Sequence, residues 1–431
     1  APAPAAPGQV PVAAPPAADA DNQRQKWPLI VGVLVLLLLV VLAVTQLSGG
    51  GDSDSAVKTP SGSTGSPDAS TTGANGNSDQ GGPGDPGSIH TVEVSLGSPM
   101  SSAAGDGLLW MTGVDGELSA IDAATRSVVA TLQVPPAFES QVAAGDGYVA
   151  VGNDETGEVT IIDSATRSVV GSVKLAVESQ DWRPVDLTIA VGRVWVTSVR
   201  FDGETTAADQ VIVIDPANLE IVSRIEVGSR PLSPTMINGR IWVVNNVSDD
   251  VSVIDPESMT VIDTIAVGGS PAALGVANGG VWVANSYDAT VSAIDPLNFV
   301  VVATIPVGQP PAPAAEVQLP GPYTVAGGDG LVWLPMLGDS SVVVVDAAKF
   351  AVVRTLPIGQ DHVIEVGLTP GFAWVSDPQA NTVMKIDAST LEVVDEIPVD
   401  RAPGDPIIAD GLVWVPSTGG DTVTVVDPSK G

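Results

Sequence analysis

From residue 89 onward, apolar and polar positions alternate with a period of two in short runs, and Gly, Pro, Asn or Asp closes every run. That period belongs to half-buried strands; a helix would repeat its apolar positions every three to four residues. The stretch VSVIDPESMTVIDTIAVGGSP (251–271) is followed about forty residues later by VSAIDPLNFVVVATIPVGQP (291–310), so the strands come in repeating groups. Each group holds a glycine turn, an aromatic and a valine, as in GLLWM, GYVAV, GRVWV, GRIWV, GGVWV, GLVWL, GFAWV and GLVWV. The aromatics are Trp110, Tyr148, Trp195, Trp242, Trp282, Trp333, Trp374 and Trp414. An Ile-Asp or Val-Asp pair follows, giving Asp122, Asp163, Asp215, Asp255, Asp295, Asp346, Asp387 and Asp427. A further strand such as VVATLQV or IVSRIEV then leads through Gly and Pro into a shorter apolar stretch.

Four short strands and one aromatic in each unit of about 40 to 52 residues predict an all-β fold, a single β-propeller of four-stranded blades. The eight aromatic strands predict eight blades, with seven as the alternative. The stretch IHTVEVSLGSP (89–99) matches the last strand of a unit, and the sequence ends three residues past Asp427-Pro428, where such a strand is due. The N-terminal strand is therefore expected to complete the final blade and remove its free edge.

Upstream the pattern changes. Residues 1–26 are Pro/Ala-rich and form no core, which reads as a cytoplasmic juxtamembrane segment. Residues 27–47, WPLIVGVLVLLLLVVLAVTQL, are long and apolar enough for a single transmembrane helix. Arg24 and Lys26 precede this span, and Asp52 and Asp54 follow it. That asymmetry places the N-terminus inside and the rest on the extracytoplasmic side. Residues 48–88, rich in Gly, Ser and Asp, read as a flexible linker, and 89–431 as the propeller.

The motif WVAN…VSAIDP…VVATIPVG, carried best by residues 282–308, resembles the YVTN-type β-propeller repeat family of bacterial surface and exported proteins, with Trp where that family often has Tyr. The resemblance covers 89–431. It implies a propeller and, for most proteins of this repeat type, a non-enzymatic binding or surface role. A related propeller group includes a metal-dependent lyase, and no matching His/Glu set is present here.

Composition narrows the chemistry. The 431 residues hold no Cys and two His, His90 and His362, so thiolate sites are excluded and imidazole chemistry is scarce. Fifty acidic against 17 basic residues give a net charge of −33, which repels nucleic acid. The repeated aspartates lie around a ring and read as turn formers, since a carboxylate accepting backbone N–H bonds stabilises an Asp-Pro turn. The blade aromatics read as packing between sheets, and the AGDG, GGDG and ADG stretches as hairpin turns.

Departures from the repeat carry the candidate site. Insertions at 199–210, after Asp163 (AVESQDWRP) and after Asp295 (QPPAPAAEVQLPGPY) fall on one face of a propeller. There Arg183, Arg200, Arg230, Arg401 and His362 are candidates for binding an anion. The competing reading is local pairing with Glu178, Asp181, Asp202, Asp361, Asp400 and Asp405. Trp182 and Tyr323 are expected as exposed aromatics in inserted loops. No catalytic motif, metal motif or cofactor fingerprint is found.

These features predict a membrane-anchored, non-catalytic extracellular propeller at the cell membrane, binding an unknown extracellular protein, glycan or small anionic ligand. The alternatives are the sensor of a receptor, such as a Ser/Thr kinase, whose cytoplasmic part lies outside this chain, and a metal-dependent lyase or hydrolase.

Overall fold

The computed structural model describes residues 89–430 except 95, 97–98, 114, 138–139, 177–179, 201–208, 311–319, 338–339 and 359–364. The juxtamembrane segment, the apolar span, the linker and His362 lie outside these residues. Among the described residues no helix is long and apolar enough to cross a membrane.

The described strands form eight four-stranded antiparallel sheets, the eight blades expected from the aromatic count. In each of blades one to seven the four strands, A to D from the inside outward, follow chain order. In blade five they are Pro271–Ala277, Gly280–Asn285, Thr290–Asp295 and Val300–Pro306. Blade eight differs. Its strands A to C are Ile407–Ala409, Leu412–Pro416 and Thr422–Val426, and its outer strand is Ile89–Glu93 from the start of the domain. The register runs from Ile89 opposite Val426 to Glu93 opposite Thr422, so the first strand closes the ring.

Three local features recur because the sequence recurs. The A–B turns carry left-handed pairs such as Asp106–Gly107 (φ 53° and 75°) and Asn278–Gly279 (48° and 75°). Positive φ at both central residues is what an Asp-Gly or Asn-Gly hairpin turn provides. The C–D turns are closed by the repeated aspartates. Asp122 accepts the Thr125 N–H at 2.7 Å, Asp295 the Leu297 N–H at 2.8 Å, and Asp387 the Ser389 and Thr390 N–H groups at 2.8 and 2.9 Å. Just before each of these turns in blades one to seven the ladder slips by one residue, as at Ala293/Ile294, and the bulge adds twist where the outer strand leaves the sheet.

The core lies between blades. All seven blade tryptophans are buried to within 1 % of full coverage. The indole N–H of Trp195, Trp282 and Trp414 donates to the carbonyl of the last A-strand residue, five positions earlier, at 3.1 to 3.2 Å. In these blades the indole locks strand B to strand A, Trp374 does so through the Thr369 hydroxyl at 2.8 Å, and the rings fill the space toward the next sheet. Blade two departs from the expected alignment. Tyr148 is half-buried and occupies the register of Leu108; the tryptophan position is held by Ala150. Opposite it stands Ile161, where Trp110 faces Ala120 and Trp282 faces Ala293. The larger side chain has moved to the facing strand, which conserves volume.

Candidate binding face and axial channel

Strand order places the A–B and C–D turns on one face and the B–C loops and D–A links on the other. On the turn face most of the aspartates are engaged in architecture. Besides the C–D aspartates, Asp106 accepts the Gly147 N–H of the next blade at 3.2 Å, Asp146 that of Gly192 at 2.9 Å, and Asp329 that of Gly371 at 2.8 Å. The described ends of the three inserted segments all belong to the opposite face.

On that link face the residue entering strand C clamps loop to link. Asp249 accepts the Ser270 N–H at 2.9 Å and Asn381 that of Ala402 at 2.9 Å. In blade three this residue is Asp209, only 8 % exposed, which accepts the Arg230 N–H at 2.7 Å and the Arg200 N–H at 3.3 Å. Burial pushes its carboxyl above the ordinary range, partly offset by those N–H groups and by the two nearby guanidinium charges. Arg200 and Arg230 therefore meet at the root of the 201–208 insertion.

The other candidates do not join them. Arg183 reaches Asp181 at 2.7 Å and the Asp154 carbonyl of blade two at 2.6 Å, and also bonds the Glu155 carbonyl, so it follows the local-pairing reading. Arg401 sits in the link into blade eight, about half a turn of the ring from blade four, and donates to the Gly419 carbonyl at 2.6 Å. Tyr323 is 42 % exposed beside blade six. Trp182 corrects the expectation of an exposed aromatic. It is 3 % exposed and packs with Leu175, Leu187 and Val196, because it is already the first residue of strand A, opposite Arg200. The exposed-aromatic role on this face falls to Tyr323.

The polar ring at the axis was not foreseen from the sequence. Counting back four residues from the end of each strand A gives Ser101, Gln141, Asp186, Ser233, Ala273, Thr324, Glu365 and Asp405, a ring polar in seven of its eight members. Bulges fall beside this level in blades one, three, four and five, turning the ring residues relative to the rest of the strand. Asp186 accepts the Leu187 N–H at 2.8 Å and, across the blade boundary, the Ser233 N–H at 3.0 Å. Asp405 accepts the Glu365 N–H at 3.0 Å. Enclosure by the channel wall pushes the Asp186 carboxyl up to about 6 against those two hydrogen bonds. Glu365 itself remains exposed; partial desolvation by its surroundings, with the negative charges of Asp405 and, from the opposite side of the ring, Asp186, pushes its carboxyl up to about 7. Three of the eight ring positions are thus carboxylates, Asp186, Glu365 and Asp405, and none is basic. Among the described residues no group of three or more acidic or imidazole side chains is arranged to hold a metal ion.

These shifts give a stability profile with two limbs. Hydrogen bonds just after strand C hold Asp122, Asp163, Asp255, Asp295, Asp346, Asp387 and, past the last strand, Asp427 below the ordinary carboxylate range. The leading donors are the Thr125, Thr166 and Ser258 N–H groups for the first three and the Asn298, Lys349, Ser389 and Ser429 side chains for the others. Their contribution is present above about pH 4 and is lost as the pH falls below it. Asp186 and Glu365 act in reverse. The folded state holds their protons more tightly, so stability falls as pH rises from about 4 to about 7. The melting temperature is therefore expected to peak between about pH 4 and 5. Calorimetry from pH 3 to 8 checks this, and Glu365→Gln should flatten the limb above pH 5.

No family model matches the chain, and no curated protein matches it. Solved structures do. The computationally designed protein Ika8 is similar at a TM-score of 0.59 and 14 % identity, over 78 % of this chain and 98 % of that one. BamB from Moraxella catarrhalis is similar at 0.58 and 13 %, over 79 % and 99 %. The dihydro-heme d1 dehydrogenase NirN in complex with DHE is similar at 0.57 and 16 %, over 70 % and 67 %. Ring, closure and blade count define the class: this chain is a β-propeller. Within that class it has eight blades, closed by its own N-terminal strand.

Proposed function

We infer that the propeller is a non-catalytic binding or scaffold module that meets its partner through the link face, and that its repeats are of the YVTN type. One observation carries this reading. The C–D aspartates and Asp106, Asp146 and Asp329 on the turn face are committed to backbone N–H groups, whereas the described ends of the inserted segments, together with Tyr323 and the Arg200–Asp209–Arg230 cluster, fall on the link face. Likeness to BamB and to a designed propeller is compatible with such a role and bears on the fold alone. Replacing residues 201–208 by a Gly-Ser loop of equal length is expected to abolish cross-linking to the partner in native membranes while leaving the melting temperature unchanged. Undiminished cross-linking would remove this face from consideration.

The module is proposed to sit on the extracytoplasmic side, anchored by residues 27–47. The natural absence of cysteine makes this easy to test. A single cysteine at Ser66 should react with a membrane-impermeant maleimide in intact cells, and one at Ala18 only after lysis. The reverse pattern would invert the topology.

A further inference from the structure

We propose that the outer strand of blade seven, Glu392–Pro398, is a docking edge for an extended, basic polypeptide segment that adds to the sheet as a fifth strand. This strand pairs with Thr382–Asp387 on one side only, so its other edge is free. The outer strand of blade six, Ala351–Pro357, has similarly exposed valines but carries Arg354 as its one charge, whereas this strand carries three carboxylates. In blades four and five the outer strands alternate between exposed and half-buried residues, one flank being covered. Here Glu392, Val393, Val394, Asp395 and Glu396 are all exposed, Val393 to 44 % and Val394 to 53 %.

The backbone is set for strand addition. Pro398 faces Thr382, and prolines end the outer strands of blades five and six in the same register, opposite Thr290 and Ser341. A residue without an N–H is tolerated where that position points away from the ladder. Two residues earlier, Glu396 shares that outward side. Its N–H is capped only by the Oδ1 of the adjacent Asp395, at 2.9 Å. An incoming carbonyl can displace so local a cap.

Charge selects the occupant. Glu392, Asp395 and Glu396 form no ion pair among the described residues, unlike Asp346, whose carboxylate meets Lys349 at 2.6 Å. Three carboxylates flanking two exposed valines repel a second copy of the same edge, as edge charges commonly do. They complement a strand that alternates Lys or Arg with β-branched residues, main-chain bonds giving affinity and the alternating side chains specificity.

The probe is a capped nonapeptide alternating Lys and Val, titrated into the full chain at 0.15 M salt. A peptide alternating Lys and Pro carries the same charge but cannot join a ladder. Binding of the Lys/Val peptide is expected to exceed that of the Lys/Pro peptide at least tenfold. Glu396→Pro, on the same outward side as Pro398, should weaken the Lys/Val peptide at least tenfold, and Glu396→Gln less than threefold. The triple reversal Glu392→Lys, Asp395→Lys, Glu396→Lys should reject it and accept a Glu/Val peptide instead. Equal binding of the Lys/Pro peptide, or a triple reversal within twofold of the parent chain, would overturn the proposal.

Discussion

Deleting residues 89–94 from the full chain is expected to lower the melting temperature by about 10–20 °C and to make the chain prone to aggregation. The reasoning starts from burial. Val92 and Val94 are 3 % and 2 % exposed and pack with Met111, Trp414, Val423 and Val425. Losing two such side chains removes about 3–6 kcal/mol of burial, a large part of the 5–15 kcal/mol that holds a typical domain. The deletion also uncovers Thr422–Val426, which becomes an unpaired apolar edge at the seam of the ring. Calorimetry and light scattering on the deleted chain test both effects. An unchanged melting temperature would mean that the ring does not depend on its first strand.

Trp282→Ala is expected to cost about 3–5 kcal/mol, near the upper range for a core truncation. The ring is 1 % exposed, lies 5.8 Å from the Phe350 ring of blade six, and donates its indole N–H to the Ala277 carbonyl at 3.1 Å. Blade two indicates how the loss can be repaired. There Ala150 occupies the tryptophan register and Ile161 faces it, so Trp282→Ala combined with Ala293→Ile reproduces a pairing the protein already uses. Chemical denaturation of both variants should return about 1–2 kcal/mol of the loss in the double variant, since volume-conserving exchanges in cores are tolerated best. Recovery of nothing would show that the indole hydrogen bond, and not ring volume, dominates the position.

The blade count, the closing strand and the architectural role of the repeated aspartates were legible because each is written locally and many times. A period of two, an Asp-Pro turn and an Asp-Gly hairpin each declare themselves within a few residues. Tyr148 shows the limit of that reading. Matching aromatic to aromatic misplaced it, whereas register is set by the preceding turn and puts Tyr148 level with Leu108. Trp182 followed an insertion in the sequence and so read as loop, yet the ladder opposite Arg200 makes it strand and core. The channel ring was invisible for a different reason. Ser101, Gln141, Asp186, Ser233, Thr324, Glu365 and Asp405 share no side-chain type; they share only a distance from the end of strand A. That distance becomes a signal once the strands are aligned backward from the A–B turns.

The pairing of Ile89–Glu93 with Thr422–Val426 also bears on how the chain folds. His90 and Val425 face each other although about 335 residues separate them, whereas the contacts inside blades one to seven join near neighbours. Loop closure of that length is the slowest kind of contact to form. Synthesis supplies the segments in the opposite order: the strand made first must stay unpaired while seven blades assemble and the eighth is completed. Each molecule thus passes through a stage with a finished arc, one strand at its beginning and a waiting edge at its end. Folding of this propeller should accordingly show a fast phase that builds sheets and a slow one in which the arc becomes a ring.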